Sequence, residues 1–302
     1  SSQATGVPAL TGPLVVTNVY AVGVDLNLTK TGAGTGTVSS SPAGINCGTA
    51  CSTATMTVPP NTPITLTASP TAGHTFTGWG GACAAAGTAT TCTLPMSQTS
   101  NVTASFAPIT YPLTVSTTGS GTITSSPGSI SCPGASCNET FNQGTLVTLT
   151  ATPQPGNALT GWTGCASNPT PTTCTVTMDQ ARNITATFVP TYVVTPSVVG
   201  GTGGGTITPN TPSTVNSGTQ VVYTLSPTPG YRAQVAGTCG GVLSGNTFTT
   251  SAVMADCTVV VTFAVILANP VPTLSQWALI LMAALLALLA AGQLPLRNNR
   301  RP

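Results

Sequence analysis

Apolar residues alternate with Thr or Ser in short segments along most of the chain. The alternation is clear in residues 147–151 (VTLTA) and 184–188 (ITATF), and such segments are bounded by Gly- or Pro-rich stretches. A period of two places every second side chain on the same face of a β-strand. Threonine suits this pattern because its β-branched side chain favours an extended backbone, while its hydroxyl keeps the outer face polar. The pattern predicts half-buried β-strands.

The same order of motifs occurs three times along the chain. Each copy contains a Gly-rich turn, a Thr-rich strand and a closing Phe, which is Phe106, Phe188 or Phe263. The first two copies also share two cysteine pairs and a tryptophan, Trp79 or Trp162, at the same position. The third copy lacks the first cysteine pair and the tryptophan. Repeats of this length predict a row of similar small domains.

The repeats and the end of the sequence together predict the domain organisation. We expect an all-β protein of tandem small antiparallel domains, β-grasp-like or sandwich-like, followed by one C-terminal hydrophobic α-helix. The motif positions predict an N-terminal extension at 1–21, repeats at 22–108, 109–190 and 191–266, and a C-terminal segment at 267–302.

Ten cysteines in a chain with a single histidine predict five disulfides formed outside a reducing cytosol. Four cysteines in one repeat allow three connectivities. The third copy helps to choose between them, because Cys239 remains there without the earlier pair and must find a local partner, Cys257. The predicted pairs are Cys47–Cys51, Cys83–Cys92, Cys132–Cys137, Cys165–Cys174 and Cys239–Cys257. The sequence starts at Ser1 without a charged and apolar leader, so we expect that an export signal has been removed.

Charge is nearly absent from the chain. Six Lys or Arg and four Asp or Glu give a net charge of +2 in 302 residues, too little for a row of phosphate contacts or for acid–base chemistry. We therefore expect no nucleic-acid partner, no cofactor, no metal and no enzymatic activity. His74 has no second histidine beside it and is expected to be structural. Trp79 and Trp162 are interpreted as core anchors rather than sugar-stacking platforms, since they recur at one repeat position.

The repeats resemble the divergent internalin-B-type repeat of bacterial surface proteins. The resemblance rests on the run Gly-Ser-Gly-Thr-Ile at 119–123, Ser-Pro at 126–127, the cysteine pairs, Gly-Trp at 161–162 and Thr-Ala-Thr-Phe at 185–188. It covers residues 22–190 well and 191–264 weakly. The resemblance implies a compact β-grasp-like module that occurs in strings on exported proteins, and it implies no catalytic residues.

The C-terminus is similar to the IPTL-CTERM sorting signal of Gram-negative bacteria, which has a short motif, a hydrophobic helix and a basic tail. Residues 278–291 are uninterrupted apolar helix formers, and only 277–296 approaches the about 20 residues that span a bilayer. We expect this helix to contact the membrane at least before processing, or else to be buried in an oligomer core. The signal residues are Val271, Pro272, Thr273, Leu274, Trp277, Arg297, Arg300 and Arg301.

The N-terminal extension carries apolar residues of one parity at Leu14, Val16 and Tyr20, interrupted by Asn18. We expect this segment either to add a strand to a sheet of a neighbouring subunit or to fold back on its own domains. The sequence thus predicts a secreted or cell-surface structural protein of a Gram-negative bacterium, which self-associates into a fibre or matrix. The alternative is a monomeric membrane-anchored stalk or adhesin, whose partner is a polysaccharide or a host surface ligand.

Overall fold

The computed structural model describes residues 22–134, 137–200, 203–266 and 274–291. The first repeat contains the strands β1 (Val24–Thr31), β2 (Gly36–Ser41), β3 (Asn46–Cys47), β4 (Thr53–Val58), β5 (Ile64–Pro70), β6 (His74–Gly81), β7 (Thr91–Leu94) and β8 (Ser100–Pro108). They form two four-stranded sheets, with orders β4-β1-β8-β6 and β3-β2-β5-β7. A short 3-10 turn, Ala84–Ala86, lies between β6 and β7.

The second repeat has the same strand order as the first. Its strands are β9 (Thr110–Thr118), β10 (Gly121–Ser126), β11 (Ser131–Cys132), β12 (Asn138–Asn142), β13 (Leu146–Pro153), β14 (Asn157–Thr163), β15 (Thr173–Thr177) and β16 (Arg182–Val199). One sheet has the order β12-β9-β16, with β14 also paired to β16, and the other has the order β11-β10-β13-β15.

The third repeat departs from this plan at its second sheet. Its strands are the second half of β16, β17 (Gly205–Thr208), β18 (Ser213–Asn216), β19 (Val222–Pro227), β20 (Tyr231–Ala236), β21 (Gly241–Ser244), β22 (Thr247–Thr250) and β23 (Cys257–Val265). The first sheet, β18-β16-β23-β20, matches the other repeats, but the second runs β17-β19-β22-β21. Within the described residues, nothing corresponds to β3 or β11, and β21 has been added at the opposite edge.

The chain divides into two compact units. One comprises the residues up to Pro153 together with Leu159–Phe188 and contains the first two repeats. The other comprises Gln154–Ala158 and the residues from Val189 onward and contains the third repeat.

One hydrophobic core lies between the two sheets of each repeat. In the first repeat Leu26 and Leu28 of one sheet and Leu66 of the other are all buried in the same cluster, and the other two repeats have separate clusters of the same kind. Alternate residues of the strands supply these cores, as the sequence pattern predicts. The all-β architecture of tandem small domains is therefore confirmed.

One strand pair in each repeat is parallel, which the alternation could not reveal because a period of two carries no strand direction. The first and last strands of a repeat lie side by side and run the same way, and these pairs are β1 with β8, β9 with β16, and β16 with β23. The other pairs whose register is known are antiparallel, among them β1 with β4, β2 with β5 and β6 with β8.

The Gly-rich turn and the closing Phe of each repeat meet in the core. A Cβ atom built on Gly121 would collide with the ring of Phe188, and Gly36 and Gly205 face Phe106 and Phe263 in the same way. The two ends of the repeat motif therefore depend on each other: the aromatic ring occupies the space that the missing side chain leaves.

Replacing Gly121 with alanine is expected to destabilise the second repeat by about 1–3 kcal/mol, because the methyl group would overpack the core against the Phe188 ring. Gly161 is the matched control, since a Cβ atom there meets nothing within 4 Å. Amide hydrogen exchange in β13 measures the effect, with the first repeat as an internal reference. Equal protection in the two variants would contradict the prediction.

The C-terminal helix α1 (Leu274–Ala291) is present, but the expected membrane span is not supported. Within the described residues, no helix has both the length and the apolar character needed to cross a membrane. The 18 residues of α1 extend about 27 Å at 1.5 Å per residue, against about 30 Å of hydrocarbon.

Candidate functional site

The outer face of the second sheet in each repeat is covered by hydroxyl groups. Paired residues across neighbouring strands are almost all Thr or Ser, and their side chains are exposed or half-buried. Strand spacing places these hydroxyls about 4.8 Å apart between strands and about 6.6 Å apart along a strand. We call these surfaces the hydroxyl faces. Their residues in the second repeat are Thr122, Thr124, Ser126, Thr148, Thr150, Thr152, Thr173 and Thr175.

The other two repeats carry equivalent hydroxyl faces. In the first, Thr65 and Thr93 share a hydrogen bond of 3.1 Å across the strands. The faces consist of Thr37, Ser39, Ser41, Thr65, Thr67, Ser69, Thr91 and Thr93 in the first repeat, and Thr206, Thr208, Thr224, Ser226, Thr247 and Thr249 in the third. Each face offers donors and acceptors without charge.

Most charged side chains that the structure describes are engaged in local hydrogen bonds. Each of the four carboxylates accepts a hydrogen bond, and one of these bonds is also an ion pair. The partners are the Thr57 hydroxyl for Asp25 at 2.6 Å, the Ser129 amide for Glu139 at 2.7 Å, the Arg182 guanidinium for Asp179 at 2.6 Å and the Val193 amide for Asp256 at 2.8 Å. These charges therefore fix loops and strand ends within their own repeats.

Lys30, the only lysine of the chain, holds the Cys47–Cys51 loop of the first repeat against β2. Its Nζ donates to the carbonyl oxygens of Gly36 at 2.8 Å, Gly48 at 2.5 Å and Thr49 at 3.3 Å. An ammonium group has three protons, so each has an acceptor. Burial lowers the pKa of the Lys30 amine. The role is structural, and no pattern in the sequence indicated it.

Replacing Lys30 with methionine is expected to cost the first repeat about 1–2 kcal/mol, because the carbonyl groups would lose a charged donor. Arg232→Met removes the same charge from an exposed position in the third repeat and should change stability by less than about 0.5 kcal/mol. Hydrogen exchange in β2 and in the loop at 46–52 reports the difference. A loss of the same size in both variants would mean that net charge matters rather than the carbonyl contacts.

The two tryptophans have different surroundings. Trp79 is buried, packs edge-on against Phe76 with ring centroids 5.1 Å apart, and donates its Nε1 to the Ala89 carbonyl at 2.8 Å. A β-bulge between Phe76 and Gly78 lets both aromatic residues face the core although they are three residues apart. Trp162 is half-buried, and its Nε1 is buried without a partner in the described residues. Trp79 is thus a core anchor, whereas Trp162 is less completely covered.

His74 lies at the start of β6, where its ring nitrogen Nδ1 contacts the hydroxyls of Thr71 at 3.1 Å and Thr35 at 3.3 Å. These contacts join a turn to the loop before β2. These surroundings are structural, as expected for a histidine with no second histidine in the sequence.

Among the described residues of the third repeat, one edge of the second sheet has no strand beside it. Registers align Ile207 with Val38 and Ile123, which pair with Cys47 and Cys132 of β3 and β11. In the described part of the third repeat, β17 pairs with β19 alone. We call the outer side of β17 (Gly205–Thr208) the open edge.

Larger side chains fill the core of the third repeat beside the open edge. Leu225 occupies the position of an alanine in the other repeats, and Tyr223 that of a leucine, and both are buried. Burial raises the pKa of Tyr223, and the nearby Ser213 hydroxyl opposes that rise. Tyr223 and Leu225 belong to the core cluster of the third repeat, as Ile45 and Cys47 belong to that of the first. The repeat is therefore packed internally although no described strand covers this edge.

The structure joins the ten cysteines in five local disulfides. The sorting-signal residues Leu274 and Trp277 lie in α1, and Trp277 is exposed. The other signal residues Val271, Pro272, Thr273, Arg297, Arg300 and Arg301, and the N-terminal Leu14, Val16 and Tyr20, lie outside the described residues. The disulfides are Cys47–Cys51, Cys83–Cys92, Cys132–Cys137, Cys165–Cys174 and Cys239–Cys257.

Fold and surfaces define a class of protein: an array of disulfide-bonded β-repeats whose outer faces are polar but nearly uncharged. The family model described as the divergent InlB B-repeat domain matches residues 26–110, 111–191 and 195–267, and the chain belongs to this family. The IPTL-CTERM motif matches residues 269–300. The chain is therefore a surface-exported repeat protein with a C-terminal sorting signal, secreted or located at the cell surface.

Three proteins are among the solved structures that are similar to the chain. The Bacillus anthracis TIE protein is 12% identical at a TM-score of 0.36, covering 80% of this chain and 50% of its own. The pilus adhesin SpaC of Lactobacillus rhamnosus GG, in an open conformation, is 10% identical at 0.28, covering 82% and 44%. A mutant of the shaft pilin spaA from the same organism is 11% identical at 0.16, covering 82% and 99%. The chain thus spans about half the length of the first two proteins. No curated protein matches it.

Proposed function

We propose that the chain is a non-enzymatic structural subunit of an extracellular fibre or matrix of a Gram-negative bacterium. The observation that carries the proposal is the nearly uncharged surface: hydroxyl faces cover the second sheets, and the described carboxylates are engaged locally. Subunits of this kind meet without the charge repulsion that keeps most soluble proteins apart. The family membership and the sorting motif support the extracellular location.

The proposed subunit has an N-terminal extension at 1–21, repeats at 22–108, 109–190 and 191–266, and the sorting segment at 267–302. The extension, through Leu14, Val16 and Tyr20, supplies an assembly strand to a neighbouring copy. Support comes from its apolar alternation, which has no counterpart before the second repeat. The five disulfides keep each repeat folded outside the cell.

Negative-stain imaging of the full chain tests the proposal. We expect fibres or a regular matrix, with little change in their amount between about 50 and 500 mM salt, because few charges are available to be screened. Deleting residues 1–21 should abolish the fibres while the disulfide-bonded repeats stay folded.

The hydroxyl faces favour a second candidate, a monomeric adhesin that binds a polysaccharide through neutral hydrogen bonds. A chain that stays monomeric at all salt concentrations but is retained on polysaccharide-coated beads would support the adhesin and overturn the fibre proposal.

A further inference from the structure

The open edge of the third repeat is distinguished from other sheet edges by comparison within the same chain. In the first repeat the Ser40 amide donates to the Ile45 carbonyl at 2.9 Å, and in the second the Ser125 amide donates to the Ile130 carbonyl at 3.2 Å. Because hydrogen-bonding residues alternate along a strand, Val38 and Ile123, two residues earlier, also face β3 and β11. In two of the three repeats a short strand, β3 or β11, therefore covers this edge.

The equivalent groups of the third repeat face outward. Ile207 takes the place of Val38 and Ile123, so its N–H and C=O point away from β19, and none of the described strands pairs with them. Pro209 takes the place of Ser40 and Ser125 and has no N–H, so the edge offers the bonds of Ile207 and Gly205 and the Pro209 carbonyl. Unpaired edge groups of this kind template the addition of another strand.

The strands that cover this edge elsewhere show what an occupant requires. Ile45 and Cys47 are buried with an exposed residue between them, and Ile130 and Cys132 repeat the pattern. The occupant therefore needs apolar residues at i and i+2 and need be only about three residues long.

We propose that residues 14–16 of a second copy of this chain pair with the open edge, with Leu14 beside Pro209 and Val16 beside Ile207, as Ile45 and Cys47 lie beside Ser40 and Val38. This assignment rests on the proposed fibre and names its acceptor. Leu14 and Val16 have the required spacing, and residues 1–21 provide enough chain before the first repeat to reach another molecule. The interface is head to tail, since one copy gives its N-terminus and the next gives its third repeat. Such an interface propagates as a filament when its rotation does not close a ring.

Two full-length variants test the acceptor edge and the donor strand separately, and a third variant is the control. Thr208→Lys puts a charge beside the open edge, and Thr124→Lys is its matched control on β10, whose edge β11 already covers. Val16→Lys impairs the donor strand. We expect Thr208→Lys and Val16→Lys each to raise the critical concentration for fibre formation at least about tenfold, which corresponds to about 1.4 kcal/mol per contact, and Thr124→Lys to leave it unchanged.

Mixing the two impaired variants gives the sharper result. Thr208→Lys retains a donor and Val16→Lys retains an acceptor, so an equimolar mixture should form a one-to-one heterodimer that does not elongate. Mass photometry measures the species, and hydrogen exchange of segment 203–208 should slow in the heterodimer and in wild-type fibres but not in free chains.

The outcomes separate this inference from the proposed function. Wild-type fibres in which segment 203–208 exchanges as fast as in the free chain, or in which Thr208→Lys assembles normally, would overturn the acceptor assignment and leave the fibre proposal standing. A heterodimer absent from the mixture would also overturn it. A wild-type chain that forms neither fibres nor oligomers would overturn both.

Discussion

Replacing Phe188 with alanine is expected to destabilise the second repeat by about 3–5 kcal/mol, because Phe188 is only 2% exposed and truncation leaves a cavity in a closed core. Hydrogen exchange at the β13 amides measures the loss within this repeat, which is preferable to one midpoint for a chain of several domains. Leu146→Ala is the control, since that side chain is 58% exposed on β13.

A double-mutant cycle tests whether Gly121 and Phe188 depend on each other. The methyl group of Gly121→Ala would enter the space that the Phe188 ring occupies, so this change should cost little when Phe188 is already alanine. We expect a coupling of at least about 1 kcal/mol between the two sites. Additive losses would show that the turn glycine and the closing aromatic residue are independent of each other.

Replacing both Cys239 and Cys257 with alanine is expected to cost the third repeat about 3 kcal/mol, the largest loss for any disulfide of the chain. This bridge spans 18 residues, whereas Cys47–Cys51 spans 4 and should contribute about 2 kcal/mol. The reason is that a longer closed loop restricts the unfolded chain more. The third repeat also has one disulfide where the others have two.

Thermal unfolding monitored by hydrogen exchange in β19 and β23 would measure this loss, with Cys47→Ala/Cys51→Ala as the comparison. Non-reducing peptide mapping of the parent chain, expected to recover all five pairs, is the control. Unchanged protection in the third repeat after removal of Cys239–Cys257 would contradict the prediction.

The sequence predicts the strands well because the alternation of apolar and polar residues directly reflects which side chains of a strand are buried. Val147 and Leu149 are buried while Thr148 and Thr150 are not, as a half-buried strand requires. The alternation does not predict which strands pair or in which direction. The parallel neighbours β1 and β8 are far apart in the chain, and their direction depends on how the whole repeat closes.

The missing edge strand shows a second limit of the sequence. The third repeat lacks a cysteine pair in the sequence, but the absence of an equivalent of β3 among its described residues, and the presence of β21 at the other edge, depend on packing between strands. The larger size of Tyr223 and Leu225 relative to their counterparts in the other repeats is recognised only when the strand registers are known. Similarly, Lys30 is an ordinary surface lysine in the sequence, and its three carbonyl acceptors come from β2 and from the Cys47–Cys51 loop, which the fold brings together.

The parallel pairing of first and last strands determines how a repeat carries mechanical tension. Residues 26–31 of β1 lie beside residues 100–105 of β8, and the chain enters through β1 and leaves through β8. Pulling on the two ends drags these neighbours in opposite directions along their shared hydrogen bonds. The bonds are then loaded together in shear and do not open one after another, which raises the force at which the repeat unravels. The same pairing closes the other two repeats, so they resist extension in the same way.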